Sequence, residues 1–254
     1  MSIQTPTLYW QEINKELSKR LVEHGYENFK SSSAVLYNDD YRGDLLKKDF
    51  DTKELWESLY SYIPAELLDG FSEPMEGNPH HLLCNGRPVT IDLGCSIRES
   101  WLLAKHIDLK SAGSIVEVGG GYGRTAYVMH KLYPEASYTM CDIEPSLSLQ
   151  RWYLTGLFKD DKLDFISPID LHKDCDLLIA INCLHEMNAE QIEYYFDYAS
   201  KHAKYFYYVC WYEGNVPFDG LVWRKEDYPV KSSWEEVFCQ PHPRDGFFEV
   251  LYKI

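Results

Sequence analysis

Residues Ser114 to Arg124, reading Ser-Ile-Val-Glu-Val-Gly-Gly-Gly-Tyr-Gly-Arg, constrain the fold more than any other stretch of the chain. Small and β-branched apolar residues run straight into a glycine cluster, and helical periodicity takes over beyond it. Glycines there let the backbone turn through positive φ and let a ligand approach where a Cβ would collide. A strand, a glycine loop and a helix in that order form a nucleotide-cofactor loop.

The downstream chain repeats the strand and helix alternation. Ile115 to Val118 reads as a strand, Thr125 to Tyr133 as a helix closed by Pro134, and Tyr138 to Cys141 as a second strand ending on Asp142. Pro145 starts a helix running to about Phe158, Leu163 to Ile166 is a third strand, and Asp176 to Asn182 a continuous apolar fourth, as a strand covered on both faces requires. Asn188 and Gln191 form a capping box for the next helix, and Tyr205 to Tyr212 is the fifth strand. Val237 to Gln240 and Phe247 to Lys253 read as a closing hairpin. This order predicts an α/β fold with a mostly parallel sheet, right-handed crossovers and a site at the carboxyl ends of the strands. One connection fits badly: Ser167 to Cys175 is shorter than the dozen or so residues of an ordinary parallel crossover, so it carries a token helix or the boundary lies elsewhere.

Before the glycine loop the pattern is mainly helical. Trp10, Ile13, Leu17 and Leu21 place an amphipathic helix over Leu8 to Phe29, a break falls at Ser31-Ser-Ser, and a second helix spans Asp51 to Tyr62 ahead of Pro64. Gly70 to Arg87, with Gly77-Asn-Pro79 and His80-His81, reads as a loop, and a further helix lies around Ile97 to Ile107. The expected organisation is a helical extension over 1–95 and an α/β domain over 96–254.

The balance of 25 Lys and Arg against 40 Asp and Glu, a formal charge of -15, opposes binding to nucleic acid, because no excess of cations is present to displace counterions. No apolar run approaches the roughly 20 residues of a membrane span, and Met1-Ser-Ile-Gln-Thr-Pro lacks signal-peptide character, so a soluble cytoplasmic protein is expected. Seven cysteines without a C-x-x-C pair suggest neither a disulfide framework nor a zinc site, and Cys141, Cys183 and Cys210 read as small buried hydrophobes. His80-His81, Asp39-Asp40 and Asp160-Asp161 read as solvated loop side chains rather than metal ligands, which leaves a divalent metal unassigned.

Two readings of the loop compete. Gly121-Tyr-Gly123-Arg-Thr-Ala126 satisfies G-x-G-x-x-A, and Asp142 lies about twenty residues on, as in an NAD(P)-dependent oxidoreductase. The alternative is Glu117-x-Gly119-x-Gly121-x-Gly123, an acidic residue at the strand end followed by alternate glycines. With the strand ending at Val118, the dinucleotide pattern needs two extra loop residues before its first glycine, and the acidic pattern needs none. A carboxylate at Glu117 suits a cationic amino group and suits a pyrophosphate poorly, which favours S-adenosylmethionine, with Asp142 accepting from ribose hydroxyls in either reading.

Glu117 to Gly123, Asp142 and the strand Asp176 to Asn182 resemble the class I S-adenosylmethionine-dependent methyltransferases over roughly Ser96 to Ile254. Gly25-Tyr-Glu-Asn-Phe29, Gly77-Asn-Pro79, Val116 to Gly123, the Gln150 helix and Leu184-His-Glu-Met187 are further similar to the sugar O-methyltransferase family. The resemblance implies a Rossmann-like methyltransferase fold, a seven-stranded sheet with an antiparallel last strand, and an N-terminal helical part covering the acceptor pocket. It implies cofactor contacts at Glu117, Gly119, Gly120, Gly121, Gly123, Asp142, Ile143 and Asn182, with Ser167 and Asp170 as candidates near the adenine. S-adenosylhomocysteine would be the product. Ile143-Glu-Pro145 and the short third crossover depart from the pattern.

Methyl transfer is an in-line displacement, and a sugar hydroxyl needs a base to take its proton as the new bond forms. Asn182-Cys-Leu-His185-Glu186-Met187 occupies the carboxyl end of the fourth strand. His185 is a candidate base by its ordinary pKa, and Glu186 could be the base, orient another group or bind the sugar. The competing reading has His185 packing against the following helix while Glu186 favours its N-terminus. Trp211 and Glu213, at the end of the fifth strand, are candidate substrate contacts, with Trp211 equally suited to the core. The expected activity is O-methylation of a sugar on a nucleotide or in a cell-surface glycan under construction. The rivals are a natural-product O-methyltransferase, an oxidoreductase and a non-catalytic nucleotide-binding module. Oligomeric state is not readable from these residues.

Overall fold

A computed structural model describes residues 5–31, 45–111, 113–159, 162–216 and 219–254. The elements in chain order are α1 (Leu8–His24), α2 (Leu45–Tyr60), α3 (Ala65–Asp69), β1 (Leu82–Cys84), β2 (Arg87–Val89), α4 (Ile91–Ala104), β3 (Ser114–Val118), α5 (Arg124–Leu132), β4 (Ser137–Cys141), α6 (Ser146–Leu157) and β5 (Leu163–Ile166). They continue with β6 (Cys175–Ile181), α7 (Ala189–His202), β7 (Ala203–Trp211), β8 (Glu213–Val216), β9 (Leu221–Arg224), β10 (Glu235–Pro241) and β11 (Phe247–Lys253).

Seven strands form one sheet in the order β10-β11-β7-β6-β3-β4-β5. Strands β3 to β7 pair in parallel, and β11 is antiparallel to both β7 and β10. The expected seven-stranded sheet with its antiparallel last strand is therefore present. Side chains alternate between two cores with the period of two that a strand imposes. Ile115, Leu177, Ile179, Tyr207 and Val209 face one core, while Val116, Leu178, Ala180, Phe206 and Tyr208 face the other. Burying each side chain of this size contributes on the order of 2 kcal/mol.

The N-terminal segment builds on the first of these faces. Leu17, Leu21, Phe29, Trp56 and Leu59 join the same core cluster as Ile97, Ala126 and Leu149. Helix α4 starts at Ile91, six residues before the apolar pattern suggested, because the Thr90 hydroxyl accepts from Leu93 N and caps it. It therefore runs through residue 95, where the sequence suggested a boundary. Lys30 fastens the junction: its ammonium donates to Glu73 at 2.7 Å and to the Tyr153 hydroxyl at 2.8 Å, and it lies 4.7 Å from the Tyr122 ring centroid.

The connection from β5 to β6 holds only a short 3-10 turn, Pro168–Asp170, so the token helix is the correct alternative. Helix α7 supplies the missing donors, with the Tyr194 hydroxyl donating to the carbonyls of Pro168 and Leu171 and the Tyr198 hydroxyl to that of Lys173. Two small hairpins were not anticipated. One, β1–β2, starts within the expected loop Gly70 to Arg87 and runs two residues past its end, with Asn85 and Gly86 both at positive φ in the tight turn. The other, β8–β9, follows the fifth sheet strand. No helix among the described residues is long and apolar enough to cross a membrane.

Candidate functional site

Strand β3 delivers Glu117 and the glycine loop to the carboxyl edge of the sheet. Gly119 takes φ 66°, and a Cβ there would lie 2.5 Å from the Cys183 Cβ, so only glycine fits between the two strand ends. Gly123 takes φ 98° as the residue before α5, and a Cβ there would lie 2.9 Å from Leu154. The loop is thus shaped by close approach to β6 and α6.

Two carboxyl groups meet at this edge. Glu117 is 2% exposed and accepts from the Tyr138 hydroxyl at 2.8 Å; burial pushes its carboxyl up to about 7 against the pull of that hydrogen bond. Asp142, at the end of β4, accepts from Ile143 N at 2.8 Å and from Gln150 Nε2 at 2.6 Å, and burial likewise raises it to about 7. Gln150 also donates to the Gly121 carbonyl at 2.9 Å, tying the glycine loop to Asp142. The sequence marked the Gln150 helix without this role, since a buried glutamine on an apolar face carries no signal of its partners. Neither Glu117 nor Asp142 forms an ion pair among the described residues.

A cavity of about 1140 Å³ opens over this edge, lined by Glu117, Gly119 to Tyr122, Asp142, Ile143 and Asn182. Asn182 sits at φ 56°, and its buried Oδ1 has no hydrogen-bond partner among the described residues. Ser167 does not line the cavity: its hydroxyl donates to Asp170 at 2.7 Å, and Pro168 takes its place in the wall.

The same cavity continues to His185, Glu186 and Trp211, and is walled by Trp10, Glu54, Asp92 and Arg244. His185 is 2% exposed, stacks on Trp211 with ring centroids 4.0 Å apart, and meets Phe247 edge-on. Its Nδ1 has no partner among the described residues, and burial, with Arg244 adding to it, drives its pKa down to about 3. His185 is therefore neutral and a weak proton acceptor. Glu186 accepts from Trp10 Nε1 at 3.0 Å, its Oε1 lies 3.9 Å from His185 Nε2, and burial raises its carboxyl to about 8. Packing and chemistry thus coincide at this pair, since the imidazole is a core ring as well as a cavity wall.

Other expectations fall elsewhere. Glu213 is exposed on β8, pairs with Arg224 at 3.3 Å and does not line the cavity, because the strand end turns outward into the β8–β9 hairpin. His80 pairs with Asp49 at 2.7 Å and His81 lies 3.0 Å from the Pro79 carbonyl, so the two rings have separate partners. Asp39-Asp40 and Asp160-Asp161 lie outside the described residues, and no three His, Cys, Asp or Glu side chains among the described residues converge as metal ligands.

Residues the sequence did not single out complete the walls. Arg124 pairs with Glu99 at 3.1 Å, and His242 Nε2 lies 3.5 Å from the same carboxylate. Burial alone would raise Glu99, but Arg124 and His242 outweigh it and hold it at about 2. His242 and Arg244 belong to the turn between β10 and β11, whose composition marks a turn and nothing of what it faces.

No family model and no curated protein matches the chain. Among solved structures it is similar to the mitomycin 7-O-methyltransferase MmcR, with a TM-score of 0.51 and 14% identity over 96% of this chain and 67% of that one. It is also similar to an S-adenosylmethionine-dependent methyltransferase from Clostridium acetobutylicum ATCC 824, with a TM-score of 0.50 and 12% identity over 63% of this chain and 90% of that one. The fold is accordingly the Rossmann-like methyltransferase fold. The likeness to MmcR extends through the N-terminal helical part as well as the sheet.

Proposed function

We propose that the chain is an S-adenosylmethionine-dependent O-methyltransferase whose acceptor is a sugar hydroxyl, on a nucleotide-activated sugar or a glycan precursor. The observation that carries the reading is the pair of carboxyls beside the glycine loop, Glu117 buried and Asp142 half-buried, both raised by burial and neither in an ion pair among the described residues. The fit to the cofactor is specific. Glu117 would meet the ammonium of the methionine part, Asp142 the ribose hydroxyls, and the partnerless Asn182 Oδ1 a further donor. When bound, the cofactor supplies an activated methyl group on a good leaving group.

The chain's own task is to align the acceptor and remove its proton. Glu186 is the better base, because its raised carboxyl is matched to neutral pH and His185 is held neutral well below it. His185 then serves as a hydrogen-bonding wall stacked on Trp211. Trp10 and Trp211 offer ring surface to sugar C–H groups, and Glu54 and Asp92 offer acceptors to hydroxyls.

A thermal-shift panel tests the cofactor: S-adenosylhomocysteine is expected to stabilise the protein, and stabilisation by NAD(P) alone would sink the proposal. Glu117→Gln is expected to weaken S-adenosylhomocysteine binding about 10- to 100-fold by calorimetry. An unchanged affinity would remove Glu117 from the ammonium site. A mass-spectrometric screen for a gain of one methyl across nucleotide sugars tests the acceptor, and small aromatic acceptors in the same screen test the natural-product reading.

The pH dependence of binding follows from the same groups. Raised carboxyls in the folded chain hold protons that the unfolded chain has lost, so their stabilisation is full below about pH 4 and is lost as pH rises through about 7. A cationic ligand favours the ionised form and displaces those protons. The S-adenosylhomocysteine-induced rise in melting temperature is therefore expected to be larger at pH 8 than at pH 6; the reverse order would contradict ligation by these carboxyls.

A further inference from the structure

We infer that Trp10 is a positioning residue for Glu186: its indole N–H, carried on the first turn of α1, fixes the direction of the Glu186 carboxylate and favours its proton-accepting form. The inference deepens the proposed reaction and rests on Glu186 as its base.

The first turn of α1 is anchored to the far half of the chain. Asp219 accepts from Leu8 N and Tyr9 N, both at 2.9 Å, and the Thr7 hydroxyl caps Trp10 N while donating to the Glu186 carbonyl at 3.1 Å. Gln191 Nε2, at the start of α7, donates to the Thr5 carbonyl at 3.0 Å. A helix N-terminus leaves its first N–H groups without intrahelical partners, and a carboxylate there also complements the helix dipole. Asp219 and Thr7 therefore do more than end the helix. They hold Trp10 against one oxygen of Glu186, on a side chain whose indole is a donor only.

The charged and titratable groups around Glu186 bear on the outcome. His185, Nε2 at 3.9 Å from the other oxygen, is neutral. The thiols of Cys183 and Cys210 are raised by burial and carry no charge. Asp142 disfavours ionisation, and Arg244, from the turn between β10 and β11, favours it. Burial is the largest influence and disfavours the carboxylate, so the Trp10 hydrogen bond and Arg244 are what oppose it. Losing the indole N–H removes a donor whose direction is set by the fold.

The test is a carboxyl-carbon NMR titration of Glu186 in the full chain, with Trp10→Phe keeping the ring and deleting the N–H. The midpoint is expected to rise by about one pH unit, an amount typical of one hydrogen bond to a charged group. Asp219→Ala, which frees the helix end and keeps the indole, is expected to move it in the same direction. An unmoved midpoint in both variants, with helix content intact, overturns the inference. The titration needs neither cofactor nor acceptor, so its failure is distinct from a failure of the wild type to bind S-adenosylhomocysteine, which would instead sink the methyltransferase reading. Where activity is measurable, Trp10→Phe is expected to shift the acidic limb of the kcat profile to higher pH, whatever it does to the height of the plateau. A merely structural contribution would lower the whole profile.

Discussion

Glu186→Gln is expected to lower the rate of methyl transfer about 10²- to 10⁴-fold, the range over which a positioned general base acts, with S-adenosylhomocysteine binding retained. The amide keeps the shape of the side chain and an oxygen for Trp10 Nε1, but has no lone pair basic enough to take a hydroxyl proton. His185→Ala is expected to cost less in rate and more in stability, because the imidazole packs between Trp211 and Phe247 and is too weakly basic for the proton transfer. The sign of the wild-type profile follows from Glu186. Its carboxyl is raised to about 8, so the active carboxylate is the minority below that pH and kcat climbs as pH rises through it. A rate already level from pH 6 upward, or a His185→Ala defect exceeding that of Glu186→Gln, would move the base elsewhere.

The glycine-loop half of the cavity was legible because its demands act on the backbone. A strand that must turn at Gly119, pass under Cys183 and open α5 at Gly123 needs glycines at fixed places, and the acid at Glu117 falls where β3 ends. Asp142 is marked in the same way by the end of β4. The half proposed to hold the acceptor was legible only in part. His185 and Glu186 stand at a strand end, a position that marks them as candidates, and both line the cavity, whereas Trp10 reads as one apolar position of an amphipathic helix and gives no sign of meeting Glu186. Glu213 shows the reverse error: a carboxylate at the end of a central strand is well placed by position alone, yet the chain turns into β8 there and carries it to Arg224. The limits of α4 were missed for a local reason, since its cap at Thr90 precedes a stretch with Gly94 and Ser96 that breaks simple apolar periodicity. The hairpin at Asn85-Gly86 was missed because its strands are only three residues each.

Glu249→Ala is expected to destabilise the protein by about 3–5 kcal/mol, the cost of leaving a buried partner charge uncompensated. Glu249 lies fully buried on β11 and gathers donors from three other elements. Arg98 of α4 grips it with both guanidinium nitrogens, Tyr207 of β7 donates at 2.8 Å, and Gln240 of β10 donates at 2.8 Å. Removing the carboxylate strands the Arg98 guanidinium, whose side chain is only 10% exposed, and empties a site between strands. For a chain of this size each kcal/mol moves the melting temperature by about 2–4 °C, so a drop of about 6–20 °C is expected in thermal denaturation. Glu249→Gln, which keeps the volume and one acceptor oxygen, is expected to fall between wild type and Glu249→Ala. The double variant Arg98→Met with Glu249→Leu is expected to recover much of the loss, because it removes the charge together with its partner. Equal melting temperatures for Glu249→Ala and the double variant would mean that the cost is packing rather than a stranded charge. The pair also bears on the site, since Arg98 lines the cavity one residue before Glu99, the partner of Arg124. In the proposed reaction, an Arg98 held by Glu249 is kept from pairing with the cavity carboxylates offered to acceptor hydroxyls, so Glu249→Ala is expected to disturb acceptor KM before it disturbs cofactor binding.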